Sequence, residues 1–133
     1  MKSSGAAIVQ VLVAVPSTRV ATRIATALLK QRLCACAQTF GPITSRYHWK
    51  GKIDSAREWL LLLKTPPAHV EALEREVVRL HPYDVPEILA LPVQGGYPPY
   101  LDWLRRETTR PRTGASAAGR GRGKRSASKG NPR

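Results

Sequence analysis

The run from Ser45 to Thr65, SRYHWKGKIDSAREWLLLLKT, limits the fold more than any other stretch of the chain. Ser45, Tyr47 and Trp49 share one parity and Arg46, His48 and Lys50 take the other, so a strand there has an aromatic face and a basic face. From Trp59 to Leu63 every residue is apolar, which is the pattern of a strand buried on both sides. Lys50 and Gly51 stand between the two runs as a tight turn in which Gly takes the positive φ. A hairpin results, and the remaining elements must pack on it.

Upstream, Ile8 to Val15 is apolar apart from Gln10 and is stopped by Pro16, as a central strand would be. Ser17 or Thr18 caps the following helix, whose stripe is Val20, Ile24 and Leu28 while Arg19, Arg23 and Lys30 stay wet. Strand pattern returns at Leu33, passes the Gly41-Pro42 break and enters the hairpin. Thr65 is then expected to cap a second helix, with Pro66 and Pro67 in its first turn. Val70, Leu73, Val77 and Leu80 form its buried stripe, Glu71 and Arg75 an i, i+4 pair on its wet face, and Pro82 ends it. Pro86 to Val93 gives a last strand whose prolines mark it as an edge. After Gly95-Gly96, Tyr97 to Arg106 forms a short helix with Tyr100, Leu101 and Leu104 turned inward.

The order β-α-β-β-α-β plus a terminal helix predicts an α+β, ferredoxin-like fold with an extra C-terminal helix. Two helices cover one face of such a sheet. Because the first strand and the return of the hairpin are apolar on both faces, a lone chain would expose a large apolar patch, and an oligomer is expected.

The charge of +13 is unevenly placed: from Thr109 on there are eight Lys or Arg and no acid, leaving 14 − 9 = +5 for residues 1–108. Residues 1–108 therefore read as the folded domain. Residues 109–133, lacking large apolar side chains, read as a disordered basic tail. Its GRGRGKR centre suits weak nucleic-acid contact, or serves only as a solubilising extension. The two cysteines lie in Cys34-Ala-Cys36, too few for a disulfide framework, so a reducing, cytoplasmic location is expected. A signal peptide is disfavoured at the start because Gln10 and Pro16 interrupt the apolar run and no Ala-x-Ala site follows. No run approaches the roughly 20 apolar residues of a membrane span.

Three ordered motifs then point to a family. SxYxWxG at 45–51, E-x-L-L-x-x-K-T ending in Lys64 and Thr65, and HPYDVPEI at 81–88 resemble the CutA divalent-cation-tolerance family over Val9 to Leu104. The resemblance implies a homotrimer similar to the nitrogen-signalling PII proteins, with the long hairpin reaching toward neighbouring subunits. It further implies a role in divalent metal tolerance, copper above all, and places HPYDVPEI at a cleft between subunits. The chain departs from the commonest pattern in carrying Gln38 where Asn is frequent, Gly41-Pro42 where Pro-Gly is frequent, Asp84 where Glu is usual, and Cys34 where a small residue such as Ala is usual.

Two groups of residues could carry chemistry. Cys34 and Cys36, expected on one side of a strand, can offer thiolates to Cu(I) or Zn, or else pack as small hydrophobes. His81 at the end of the second helix can join Glu87 or Asp84 around a divalent ion, or simply serve as a helix-terminal cation or carbonyl donor. Lys64, Glu58, Tyr47 and Trp49, with Tyr83 and Asp84, form a candidate ligand cleft for a small anion or a protein partner. Equally, Glu58 and Lys64 can bridge two subunits while the aromatics fill the interface. His48 and His69 read as solvated. No Ser-His-Asp context, Walker loop, dinucleotide turn or His-Glu-x-x-His is present, so binding without catalysis is expected and no cofactor is required.

Overall fold

The computed structural model describes residues 7–109. Its elements are β1 (Ile8–Val15), α1 (Thr18–Lys30), β2 (Cys36–Trp49), β3 (Lys52–Thr65), a single 3₁₀ turn (Pro67–His69), α2 (Val70–Leu80), β4 (Ile88–Val93) and α3 (Pro98–Glu107). The strands form one four-stranded antiparallel sheet in the order β2-β3-β1-β4. Each crossover helix therefore joins strands separated by a third, which is the ferredoxin-like arrangement.

Alternation along β1 explains the layers. Val11, Val13 and Val15 pair with Leu63, Leu61 and Trp59, and this face packs on Ala21, Ile24 and Leu28 of α1 and Leu73 and Val77 of α2. At one end of the other face, Ile8 meets Leu101 and Leu104 of α3, beside Cys36 and Val93. The rest of that face is open. Leu12 pairs with Leu62 and Leu89, Gln10 with Lys64 and Leu91, and Phe40 with Leu60, so these side chains share it. Phe40, Leu89 and Leu91 remain 58%, 52% and 43% exposed. That is an apolar surface requiring a partner.

The hairpin also outruns the sheet. Trp59 is the last β3 residue with a partner on β1, so Lys52 to Glu58 continue for about 24 Å paired only with β2. A bare two-stranded ribbon is marginal in water. Its turn is built as the sequence suggests, with Lys50 at φ 51 and Gly51 at φ 79. Ser45, Tyr47 and Trp49 are half-buried while Arg46, His48 and Lys50 are exposed. Where the register shifts between Phe40 and Ile43, Gly41 at φ 149 lies flat on Trp59, and a Cβ there would sit 2.7 Å from Cδ1 of that ring. Only glycine fits.

Several expectations are corrected. Cys34 precedes β2 rather than lying on it, because the strand begins at Cys36; the two residues are not stacked on one strand face. Ser17, not Thr18, caps α1 by accepting from the Val20 N–H at 3.1 Å, and Ala21 rather than Val20 joins Ile24 and Leu28 as fully buried. Thr65 is no cap: it ends β3 and its hydroxyl donates to the Leu33 carbonyl at 2.7 Å. Pro66 precedes the 3₁₀ turn instead, and α2 starts only at Val70. The ion pair of α2 is Arg79 with Glu76 at 2.7 Å, not Glu71 with Arg75. The last strand starts at Ile88 and is an edge. Tyr100 faces out, not in, and stacks on Trp103. The tail expectation falls on residues 110–133, outside those described.

Candidate functional site

His81 closes α2 and is buried. Its Nε2–H donates to the Ala14 carbonyl at 2.7 Å and its Nδ1 accepts from the Tyr83 N–H at 3.1 Å, which fixes the proton on Nε2. The Tyr83 ring lies against the imidazole with centroids 4.8 Å apart. The Tyr83 hydroxyl in turn donates to Oε2 of Glu58 at 2.9 Å, and that carboxylate is buried. A hydrogen-bonded chain thus ties β1, the end of α2 and β3 together. Burial makes each link costly to lose.

At the opposite end of the sheet a second group gathers around Cys36. Lys64 is its cross-strand neighbour, and Lys64 Nζ donates to Gln38 Oε1 at 2.6 Å. The Tyr100 hydroxyl reaches the Cys36 sulfur; burial raises the Tyr100 pKa, and Cys36 adds to the rise. Cys34 differs sharply from its neighbour. It belongs to the main core, and burial, helped by Cys36 and opposed by the Cys36 N–H, pushes its thiol up to about 12. A thiol of that kind stays protonated and inert at neutral pH. In the native protein a disulfide-exchange reagent at pH 8 should modify Cys36 and spare Cys34, with both reacting after unfolding; fast modification of both in the native state would contradict this placement.

These positions decide which expected residues meet. Cys36 lies level with Gln10 of β1, whereas His81 bonds Ala14 and the Glu87 carbonyl accepts from the Ala14 N–H at 3.4 Å. Four strand residues, about 13 Å along the sheet, separate the two ends. Within one chain Cys36 does not join His81 and Glu87, and among the described residues no group of three or more His, Cys, Asp or Glu is poised to hold a metal. The ligand-cleft set is also spread out: Glu58 is about 20 Å along β3 from Lys64, and Tyr47 and Trp49 sit on the ribbon opposite Asp54 and Lys52. Of that set only Glu58 and Tyr83 touch, and Asp84 is exposed in the loop before β4.

Sequence reasoning missed the Ala14 carbonyl, because backbone acceptors leave no trace in residue types. It also assigned no role to His69, which is corrected: its Nε2 lies 2.7 Å from the Thr108 carbonyl and ties the first turn of α2 to the end of α3. A surface groove of about 660 Å³ between the end of α1 and α2, lined by Gln31, Leu33, Ala72, Glu76 and Arg79, touches none of the predicted site residues. The Arg79 guanidinium there holds Glu76 below the usual carboxylate range.

Comparison with known proteins now decides the family, since the model described as "CutA1 divalent ion tolerance protein" matches residues 9–107. The chain belongs to that family. It is 48% identical over 98 residues to the divalent-cation tolerance protein CutA of Thermus thermophilus, covering 74% of this chain and 95% of that one. To Protein CutA of Mus musculus it is 46% identical over 93 residues, covering 70% of this chain and 52% of that protein, so it spans about half the mouse relative's length. The solved Thermus thermophilus structure superposes with a TM-score of 0.75 at 46% identity, over 77% of this chain and 99% of that one. The periplasmic divalent cation tolerance protein CutA of Archaeoglobus fulgidus also gives 0.75, at 34% identity and 77% and 99% coverage. The ferredoxin-like architecture of the CutA1 family is therefore the architecture of this chain. No helix among the described residues is long and apolar enough to cross a membrane.

Proposed function

We propose that the chain acts as a cytoplasmic homotrimer in divalent metal tolerance, binding metal, with copper the first candidate, and carrying out no catalysis. The observation that supports assembly is the open apolar sheet face continued by an unsupported ribbon. It also bears on the metal. Because Cys36 and the pair His81 and Glu87 stand at opposite ends of one sheet, a complete ligand set requires donors from a neighbouring chain.

The donors are unequal in chemistry. Cys36 is half-buried and suits a soft ion. Glu87 is half-buried and can add oxygen. His81 must surrender one of its hydrogen bonds before its nitrogen can ligate, and Cys34 as a protonated core thiol is at most a helper. An anaerobic copper titration against a competing chelator should give tight binding in whole-number ratio per chain, weakened at least tenfold in Cys36→Ser while the oligomer mass persists. Unchanged affinity in that variant would remove Cys36 from the site.

A second reading is a PII-like signalling or scaffold module with a small anion or a protein partner in the intersubunit cleft. Lys64, presented by Gln38 on the open face, favours it. A thermal-shift panel of nucleotides and organic acids tests it, and no shift with any member counts against it. On location, relatives differ: the Archaeoglobus fulgidus protein is named periplasmic and the Arabidopsis thaliana protein chloroplastic.

A further inference from the structure

The C-terminal helix carries an aromatic surface that neither the core nor the proposed metal site uses. Tyr97, Tyr100 and Trp103 are 72%, 39% and 37% exposed, while Leu101 and Leu104 of the same helix are buried. Residues three apart are neighbours on a helix surface, and Tyr100 and Trp103 stack with centroids 5.9 Å apart and planes 17° from parallel. The Tyr100 hydroxyl is held at the Cys36 sulfur, so this flat surface is set before any ligand arrives.

The charge beside it has one sign. Both acids of the helix are occupied, Asp102 by Arg105 at 2.7 Å and Glu107 by Arg32 at 3.1 Å. Arg106 is exposed one turn beyond Trp103. Residues 110–133 then supply eight Lys or Arg and no acid. Preset aromatic planes next to dense basic charge match the chemistry of unstacked bases linked by phosphates. A duplex offers the phosphates but hides the base faces.

We propose that α3 and the basic segment after it bind single-stranded nucleic acid, with bases stacked on Tyr97, Tyr100 and Trp103 and phosphates contacted by the Lys and Arg of residues 110–133. This does not depend on the metal reading.

Fluorescence anisotropy with labelled oligothymidylate and oligouridylate tests it on the full chain, on Trp103→Ala, on Tyr97→Ala and on a chain ending at Thr109. The full chain should prefer single strand to a duplex of equal length, and its affinity should fall steeply with salt. Trp103→Ala should weaken binding about tenfold at fixed salt and leave the salt slope unchanged, since stacking releases no counterions. Truncation should flatten that slope. Tyr97→Ala, at so exposed a position, cannot perturb packing, and it should weaken binding about threefold. Equal binding to duplex and single strand with no loss in either aromatic variant overturns the proposal. So does binding to phosphatidylserine vesicles with none to either oligonucleotide.

Discussion

Replacing Leu89 and Leu91 together by Asp is expected to abolish the oligomer. Both side chains lie on the open sheet face, on the edge strand, about half exposed in the single chain. Covering a leucine of this kind by a second subunit contributes up to roughly 1.5–3 kcal/mol, and each carboxylate placed there must be desolvated as well. Losing both from every chain shifts the association constant by at least about a hundredfold, at 1.4 kcal/mol per decade. Light scattering should then fall to the single-chain mass of 14.6 kDa. The intrachain core, on the other face, should survive at low temperature, so the variant keeps its circular dichroism. A double variant with unchanged mass would show that the partner is held elsewhere.

His81→Ala is expected to cause the largest loss of stability available from one site residue. The substitution removes a buried ring and leaves the Ala14 carbonyl and the Tyr83 N–H without their printed partner. Each orphaned group costs about 1–3 kcal/mol, and the cavity adds to it. A fall in Tm of about 10–20 °C follows for a domain of this size. The metal-free protein is the sample to melt. If His81 serves chiefly as a metal donor, the metal-free Tm will hardly move and only the loaded protein will lose stability. Tyr83→Phe, which removes the donor to the buried Glu58, should give a smaller loss in the same direction.

Cys34 adds a pH effect whose sign is fixed. Its folded pKa of about 12 lies above the ordinary value of 9.0, so the native state keeps a proton that the unfolded chain releases. Its stabilising contribution is complete below pH 9 and is lost as pH rises toward 12. Cys34→Ala should reduce the steepness of alkaline unfolding in that window, as read from melting curves across pH.

The fold was legible because its signals are periodic. Alternation in Ser45 to Trp49 and the doubly apolar Trp59 to Leu63 specify the hairpin and its central place, and Pro16, Pro82 and the Lys50-Gly51 turn punctuate the elements. Cap identities were less legible, since Ser17, Thr18 and Thr65 are chemically alike and only the backbone path selects among them. Thr65 was spent on the Leu33 carbonyl instead. The site was legible as residue types but not as a constellation. Cys36, His81, Glu58 and Lys64 are visible in the sequence, yet strand register separates them, and register depends on the Gly41 irregularity and on pairing with residues far along the chain. Tyr100 was misplaced because an aromatic on a short amphipathic helix reads as core by default.

The account's central claim is that metal is held between chains rather than within one. Native mass spectrometry of the wild-type chain and of the Leu89→Asp/Leu91→Asp variant, each mixed with copper under anaerobic conditions, tests it directly. The account predicts a wild-type species of about three times 14.6 kDa carrying copper in whole-number ratio, and a folded monomeric variant that retains none at the same free metal concentration. Copper bound as tightly by the monomer would contradict it.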